Sequence, residues 1–237
     1  MNRSIHRLSR FVSSTLGAAA LAVATLLVLP AGAAEKAVAI PAPALDTPST
    51  APSETAILAG GCFWGVQGVF QHTKGVTSAV SGYAGGTTKS PSYHQVGSGE
   101  TGHAEAVKVT FDPRQVTYGQ ILRIYFSVAH DPTQLNRQRP DRGTQYRSAI
   151  FTTSDSHMKV ATAYIAQLDG AKAYPKPIVT KVQPAAKFWP AEDYHQDYAT
   201  LHPDDTYIAF YDLPKIANLK VMFPSHYRDQ PVLVAAR

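Results

Sequence analysis

The chain has 237 residues, of which 44% are hydrophobic and 16% are charged. This composition supplies enough apolar side chains for one packed domain and excludes a chain that is disordered throughout. The formal net charge is +5, but the first 34 residues carry three arginines and no acidic residue, which leaves +2 for the remainder. The basic residues that remain form no stripe, so we expect no nucleic-acid partner.

The N-terminal segment has the layout of a secretory signal peptide. Three arginines precede a continuous apolar run at residues 16–29, and small residues follow at 31–33. We therefore predict a signal peptide over residues 1–34 and a secreted or periplasmic protein without stable membrane association after cleavage. The alternative is an uncleaved membrane anchor, but the run is shorter than the roughly 20 residues that a spanning helix needs. No cysteine lies at the expected cleavage site, so no lipoprotein is expected.

Residues 35–55 are rich in proline and alanine and show neither a helical nor a strand period. Such a composition is typical of a semi-extended linker. From residue 56 onward, apolar and polar residues alternate in the patterns of a globular domain. We therefore predict a linker at 35–55 and one catalytic domain at 56–237.

Within that domain, short strands alternate with amphipathic segments and long polar loops. A capping-box pattern at Thr117 and Gln120 marks the start of one helix. The predicted strands cover residues 56–59, 76–83, 104–111, 146–152 and 178–182, and the predicted helices begin near 63, 117 and 156. This order predicts an α/β (α+β) fold, a two-layer sandwich of a mixed sheet and helices with long coil segments.

Cys62 is the single cysteine of the chain, so no internal disulfide can form. It lies between a predicted strand and a predicted helix, where the backbone dipole and free N–H groups favour the thiolate. The alternative is a buried, inert cysteine. Phe63 and Trp64 follow directly and either face the same opening or pack in the core.

Glu105 interrupts an apolar strand face. Strict alternation places it on the side that carries Val107, Val109 and Phe111. A desolvated carboxyl has a raised pKa and can act as a general acid near neutral pH. The alternative is a glutamate at the strand end that reaches water.

Five ordered motifs resemble the signatures of type A peptide methionine sulfoxide reductases. They are GCFWG (61–65), GYAGG (82–86), TGHAEAV (101–107), DRGTQYRS (141–148) and AEDYHQDY (191–198). The resemblance spans nearly all of residues 56–224, and we expect the sandwich to be ferredoxin-like.

The resemblance implies a catalytic role for four of these residues. Cys62 attacks the sulfoxide sulfur, Glu105 delivers a proton to the oxygen, and Tyr83 and Tyr146 donate hydrogen bonds to that oxygen.

It also implies a substrate-binding role for four more. Phe63 and Trp64 enclose the methyl group, Asp141 organises the polar wall, and His195 lies at its rim. Two alternatives stay open: Asp141 as a loop-capping residue, and His195 as a structural hydrogen-bonding group.

The expected reaction converts methionine S-sulfoxide, free or within oxidised proteins and peptides, to methionine, and the stereochemistry follows from the resemblance alone. Oxygen then remains on Cys62 as a sulfenic acid. Many family members remove it with further cysteines, which this chain lacks, so we infer an external thiol such as a thioredoxin-like protein or a glutathione-type donor. The nine histidines form no metal-binding motif, and no dinucleotide fingerprint is present, so we expect no cofactor and no metal. We expect a monomer.

Two alternative functions remain open. One is another cysteine enzyme, a thiol peroxidase or an acyl-transferring hydrolase, although a hydrolase needs a histidine base beside Cys62. The other is a non-catalytic module that binds oxidised methionine.

Overall fold

The computed structural model describes Met1, residues 35–185 and residues 187–234. The predicted signal peptide, apart from Met1, lies outside the described residues. In the described part, no helix is long and apolar enough to cross a membrane.

A six-stranded sheet forms the centre of the domain. The strands in chain order are β1 (Glu54–Gly60), β2 (Val76–Ala84), β3 (Ala104–Phe111), β4 (Arg137–Gln138), β5 (Asp141–Arg142), β6 (Ser148–Thr152), β7 (Lys181–Pro184) and β8 (Trp189–Pro190). The order in the large sheet is β7-β6-β1-β3-β2-β8, and β4 pairs with β5 in a separate hairpin. Neighbouring strands are antiparallel except β6 and β7, which run parallel. The mixed sheet is therefore confirmed.

The helices lie mainly on one face of this sheet. They are α1 (Phe63–Gln71), α2 (Tyr93–Gly97), α3 (Tyr118–Ile124), α4 (Asp155–Gly170), α5 (Tyr198–Leu201) and α6 (Leu213–Met222). The large core joins side chains from α1, α3, α4 and α6 to one face of the strands. The opposite face carries a smaller cluster of mostly alanines, covered in part by Ala185 and Phe188. Because β1–α1–β2 and β3–α3–β6 each cross over one central strand, the two-layer ferredoxin-like sandwich is confirmed.

Local sequence signals explain where α3 begins. The Thr117 hydroxyl accepts a hydrogen bond from the amide of Gln120, and the Gln120 side chain accepts one from the amide of Thr117. This reciprocal cap satisfies two of the free N–H groups at a helix start. The same arrangement at Ser92 and Gln95 starts α2, a short helix that the sequence analysis did not predict.

Residues 35–53, most of the predicted linker, lie extended and packed against the domain. Ile40 is 4% exposed and belongs to the main core. The amide of Val38 donates to the carbonyl of Ser127, and the hydroxyl of Tyr164 donates to the carbonyl of Pro41. Asp46 accepts hydrogen bonds from Thr117 and Gly119 at the start of α3. The segment thus contributes to the core although its sequence has no regular period.

The sequence interpretation missed α6. This helix starts with Leu213 and Pro214, and proline is favoured in the first turn of a helix. Ile216 and Leu219 pack toward the core from the same side. Strand β7 was also misplaced, since it begins at Lys181 rather than at 178.

Candidate active site

Cys62 lies at the turn between strand β1 and helix α1, as predicted. It is the N-cap residue of α1, and its side chain is 9% exposed. Gly61 before it has φ +89, and a Cβ there would lie 2.5 Å from Cβ of Gln138. Glycine is therefore required both by the backbone angle and by the approach of the β4–β5 hairpin.

The charge state expected for Cys62 was wrong. Burial raises the pKa of its thiol well above the usual range, and the carboxylates of Asp212 and Glu105 raise it further. The helix N-terminus favours a thiolate, but this local effect is smaller than the loss of hydration and the repulsion by nearby carboxylates. The resting form is therefore the neutral thiol.

Glu105 extends from strand β3 toward Cys62 and is 2% exposed. Its Oε2 accepts a hydrogen bond of 3.0 Å from the backbone amide of Phe63, the residue after Cys62. Burial raises the pKa of Glu105 to about 8, against the opposing effect of the Phe63 hydrogen bond, and Asp141 and Asp212 add to the increase. A carboxyl group that is protonated at neutral pH thus lies beside the thiol.

Tyr83 lies directly opposite Glu105 in the β2–β3 pairing. Its hydroxyl donates a hydrogen bond of 2.8 Å to Oε2 of Glu192, and Oε1 of Glu192 accepts one of 2.9 Å from the amide of Tyr93. Burial, followed by this bond to Glu192, raises the pKa of the Tyr83 hydroxyl, so it remains a proton donor. Glu192 therefore fixes the orientation of Tyr83 in the substrate-free protein.

Tyr146 belongs to a short 3-10 turn, Thr144–Tyr146, and is half-buried. Burial raises the pKa of its hydroxyl, and the charges of Glu105 and Asp141 raise it further. Burial together with Glu105 and Cys62 raises the pKa of Tyr93 to about 12. The structure thus brings Tyr146 and Tyr93 close to Cys62 and Glu105, each with a protonated hydroxyl.

Phe63 and Trp64 begin an aromatic cluster beside Cys62. Phe63 is buried, whereas Trp64 is half-buried and stacks on Tyr198 with ring centroids 4.1 Å apart. The indole Nε1 of Trp64 donates a hydrogen bond of 3.3 Å to Nδ1 of His195. An apolar surface of this kind fits a small methyl group.

His195 does not lie at a rim. It is 3% exposed, and its ring packs against Tyr93 at 4.2 Å and Phe63 at 5.3 Å between centroids. Burial lowers the pKa of His195, which favours the neutral ring that accepts from Trp64. The sequence showed its motif but not the residues that cover it, so the placement at the rim was wrong.

Asp141 belongs to the β4–β5 hairpin and is half-buried. It accepts a hydrogen bond from the hydroxyl of Tyr207. Burial raises the pKa of Asp141, against the effect of that hydrogen bond. Its charge also acts on Cys62 and Glu105, so Asp141 contributes to the polar side of the site.

Sequence reasoning missed five residues of this region. Three of them, Tyr207, Asp212 and Lys215, come from the C-terminal part of the chain, where no signature was recognised. Glu192 was quoted within a motif, but a single sequence does not show that it would meet Tyr83. Tyr93 had no distinguishing signal.

Comparison with known proteins agrees with this geometry. Residues 54–226 match the family model of peptide methionine sulfoxide reductase. The chain is 60% identical over 190 residues to peptide methionine sulfoxide reductase MsrA 2 of Mesorhizobium japonicum, which covers 80% of this chain and 97% of that protein.

Two solved structures are similar in fold. The crystal structure of Mxr1 from Saccharomyces cerevisiae in reduced form gives a TM-score of 0.57 at 31% identity, over 68% of this chain and 91% of that one. Methionine sulfoxide reductase A of Corynebacterium diphtheriae gives 0.55 at 33% identity, over 74% and 91%. The chain therefore belongs to the peptide methionine sulfoxide reductase family and is an enzyme that reduces methionine sulfoxide.

Proposed function

We propose that Cys62 is the nucleophile and Glu105 the general acid of this reaction. The observation that carries the proposal is the hydrogen bond between the Glu105 carboxyl and the amide of Phe63, which holds a protonated acid beside the only thiol of the chain. A general acid contributes most when its pKa lies near the working pH.

The proposed step balances as an oxygen transfer. Glu105 protonates the sulfoxide oxygen while the sulfur of Cys62 attacks the sulfoxide sulfur, and the thiol proton of Cys62 replaces the proton that Glu105 has lost. The oxygen moves to Cys62 as a sulfenic acid, so the cysteine sulfur is oxidised by two electrons and the substrate sulfur is reduced by two. The neutral resting thiol fits this order of steps because it supplies the proton that returns Glu105 to its acid form.

The other predicted residues bind the substrate. Tyr83 and Tyr146 donate hydrogen bonds to the oxygen as negative charge develops there. Phe63 and Trp64 enclose the methyl group.

Two further residues support this arrangement. His195 orients the indole of Trp64, and Asp141 shapes the polar wall together with Tyr207. The S epimer is the proposed substrate, either as free methionine sulfoxide or within oxidised proteins and peptides.

Regeneration requires an external reductant in this proposal, because the chain has one cysteine. A thiol condenses with the sulfenic acid to give a mixed disulfide and water, and a second thiol releases Cys62 and a disulfide. A thioredoxin-like protein or a glutathione-type donor has the required chemistry.

We further propose that the protein acts as a monomer after export to the periplasm or the medium. The N-terminal sequence, with three arginines, an apolar run and small residues, supports export. N-terminal sequencing of the enzyme from the exported fraction tests this point, and a start at residue 1 would contradict it. Analytical ultracentrifugation tests the oligomeric state.

The decisive experiment is a single turnover without reductant. The purified enzyme is mixed with a peptide that contains methionine S-sulfoxide, and we expect about one methionine per Cys62 together with one oxygen, or its trapped adduct, on that residue by mass spectrometry. The R epimer and the Cys62→Ser variant serve as controls and should give no product. Methionine formed without modification of Cys62 would exclude the proposed nucleophile.

A further inference from the structure

A buried ion pair lies at the start of helix α6. Nζ of Lys215 is 3.2 Å from Oδ1 of Asp212, and the two side chains are 6% and 0% exposed. In the part of the chain that the structure describes, Lys215 is the only lysine or arginine that is buried. Burying two charges costs free energy even when they are paired, so we expect this ion pair to add little to the free energy of unfolding.

The pair packs against the first turn of helix α1, whose N-cap is Cys62. A Cβ on Gly65 would lie 2.1 Å from Oδ1 of Asp212 and 3.0 Å from Nζ of Lys215. A Cβ at position 65 would therefore force the Asp212 carboxylate to move. The ion pair therefore meets α1 three residues after the reactive cysteine.

The pair is also incompletely satisfied. Among the described residues, Oδ2 of Asp212 is buried and has no hydrogen-bond partner. The ammonium group of Lys215 has three donor hydrogens, and its bond to Asp212 uses one. Lys215 therefore retains donor hydrogens that can interact with a negative charge nearby.

The charges around Cys62 come from several elements. Asp212, Glu105 and Asp141 oppose a negative charge on its sulfur. Tyr93, Tyr146 and Tyr207 face the same thiol. Glu35 from the N-terminal segment and His130 after α3 lie within electrostatic range of Lys215.

Lys215 keeps its charge in this setting. Burial favours the neutral amine, but Asp212 and Cys62 together raise the pKa of Lys215. The ammonium group is thus a fixed positive charge among acidic groups, within electrostatic range of the sulfur of Cys62.

We propose that Lys215, held by Asp212, is a positioning residue whose positive charge stabilises the anionic form of Cys62. The inference rests on the proposed role of Cys62 as the nucleophile. This stabilisation matters most in regeneration. There a second thiol attacks the mixed disulfide and forms a new disulfide, and Cys62 leaves as the thiolate. A thiol with a lower pKa is the better leaving group.

The test measures the thiolate of Cys62 directly. The rate of alkylation of Cys62 by iodoacetamide is followed by mass spectrometry as a function of pH. In Lys215→Met, we expect the apparent pKa of Cys62 to rise by about one unit, because loss of a nearby positive charge disfavours the thiolate. Lys215→Arg should retain most of the wild-type value. Lys220→Met removes an exposed lysine of the same helix and should leave the profile unchanged.

A second pair of variants covers the case in which Lys215→Met does not fold. Asp212→Asn alone is compared with Asp212→Asn/Lys215→Met, which leaves no buried charge unpaired. Loss of the lysine should again raise the pKa of Cys62. An unchanged pKa in both backgrounds would overturn the inference. Because alkylation needs no sulfoxide, this result is independent of the single-turnover test of the proposed function.

Discussion

The backbone amide of Phe63 donates a hydrogen bond of 3.0 Å to Oε2 of Glu105, 42 residues along the chain. One of the free N–H groups at the start of α1 is thereby occupied by the acid rather than by solvent. The bond fixes the carboxyl group relative to Cys62, because the amide belongs to the next residue. Nucleophile and acid are thus held in one rigid unit of helix and strand.

The Glu105 carboxyl should set the alkaline side of the pH profile. Burial raises its pKa to about 8, well above the usual value for a glutamate, so the acid is protonated at neutral pH and loses its proton as the pH rises through 8. We expect kcat/KM to fall over that range. In Glu105→Gln, activity should fall by roughly 10²–10⁴-fold and this limb should disappear. Glu100→Gln changes an exposed glutamate and serves as the control. If kcat/KM of Glu105→Gln still falls as the pH rises through 8, a group other than Glu105 causes that fall.

The two tyrosines should share the stabilisation of the sulfoxide oxygen. Tyr83 presently donates to Glu192, so substrate must draw that proton away, whereas Tyr146 faces Glu105 and Asp141. We expect Tyr83→Phe and Tyr146→Phe each to lower kcat by roughly 10²-fold, as found for single lost donors in comparable sites. KM for the sulfoxide peptide should change less. Tyr227→Phe, which alters a tyrosine stacked on His72 outside the site, is the matched control. Equal losses in kcat for all three variants would argue against specific donors.

Buried His130 should make the enzyme less stable in acid. Burial lowers the pKa of His130 to about 3. Its Nδ1 donates to the carbonyl of Tyr125 and its Nε2 accepts from the hydroxyl of Ser148, a pattern of the neutral ring. Because the folded pKa is depressed, this stabilisation is complete above the unfolded value of 6.5 and is lost as the pH falls, by up to about 1.4 kcal/mol per pH unit.

Urea unfolding at pH 7, 6 and 5 measures this effect. The wild type should exceed His130→Gln in free energy of unfolding at pH 7, and the difference should shrink toward pH 5. His94→Gln, at an exposed histidine, should show no such trend. A difference that stays constant with pH would mean that His130 does not titrate on unfolding.

Local patterns predicted the parts of the site that depend on near neighbours. Alternation placed Glu105 on the apolar face, and the strand-to-helix turn placed Cys62 at the N-cap. The charge of Cys62 was predicted wrongly because it depends on Asp212, which is 150 positions away, and on burial by the assembled fold. Asp212 and Lys215 are only three residues apart, so their pairing is local, but their burial against Gly65 of α1 depends on the assembled fold.

Residues 35–53 show in the same way which part of the fold a sequence pattern cannot predict. Its prolines and alanines give no period, so only the finished domain shows that Ile40 occupies a core position and that Asp46 caps α3. A single apolar residue in an extended segment carries too little information to predict burial. The predicted boundary at residue 56 therefore separates two pieces of chain that pack together.

This packing predicts that residues 35–53 contribute to stability. Ile40 is 4% exposed, and its truncation removes buried methylenes and leaves a cavity. We expect Ile40→Ala to lower the free energy of unfolding by about 2–5 kcal/mol. Leu45→Ala, at a side chain that is 46% exposed in the same segment, should change it by less than about 0.5 kcal/mol. Urea unfolding of the two variants makes the comparison. If both variants unfold at the wild-type urea concentration, the segment detaches in solution and contributes nothing to the core.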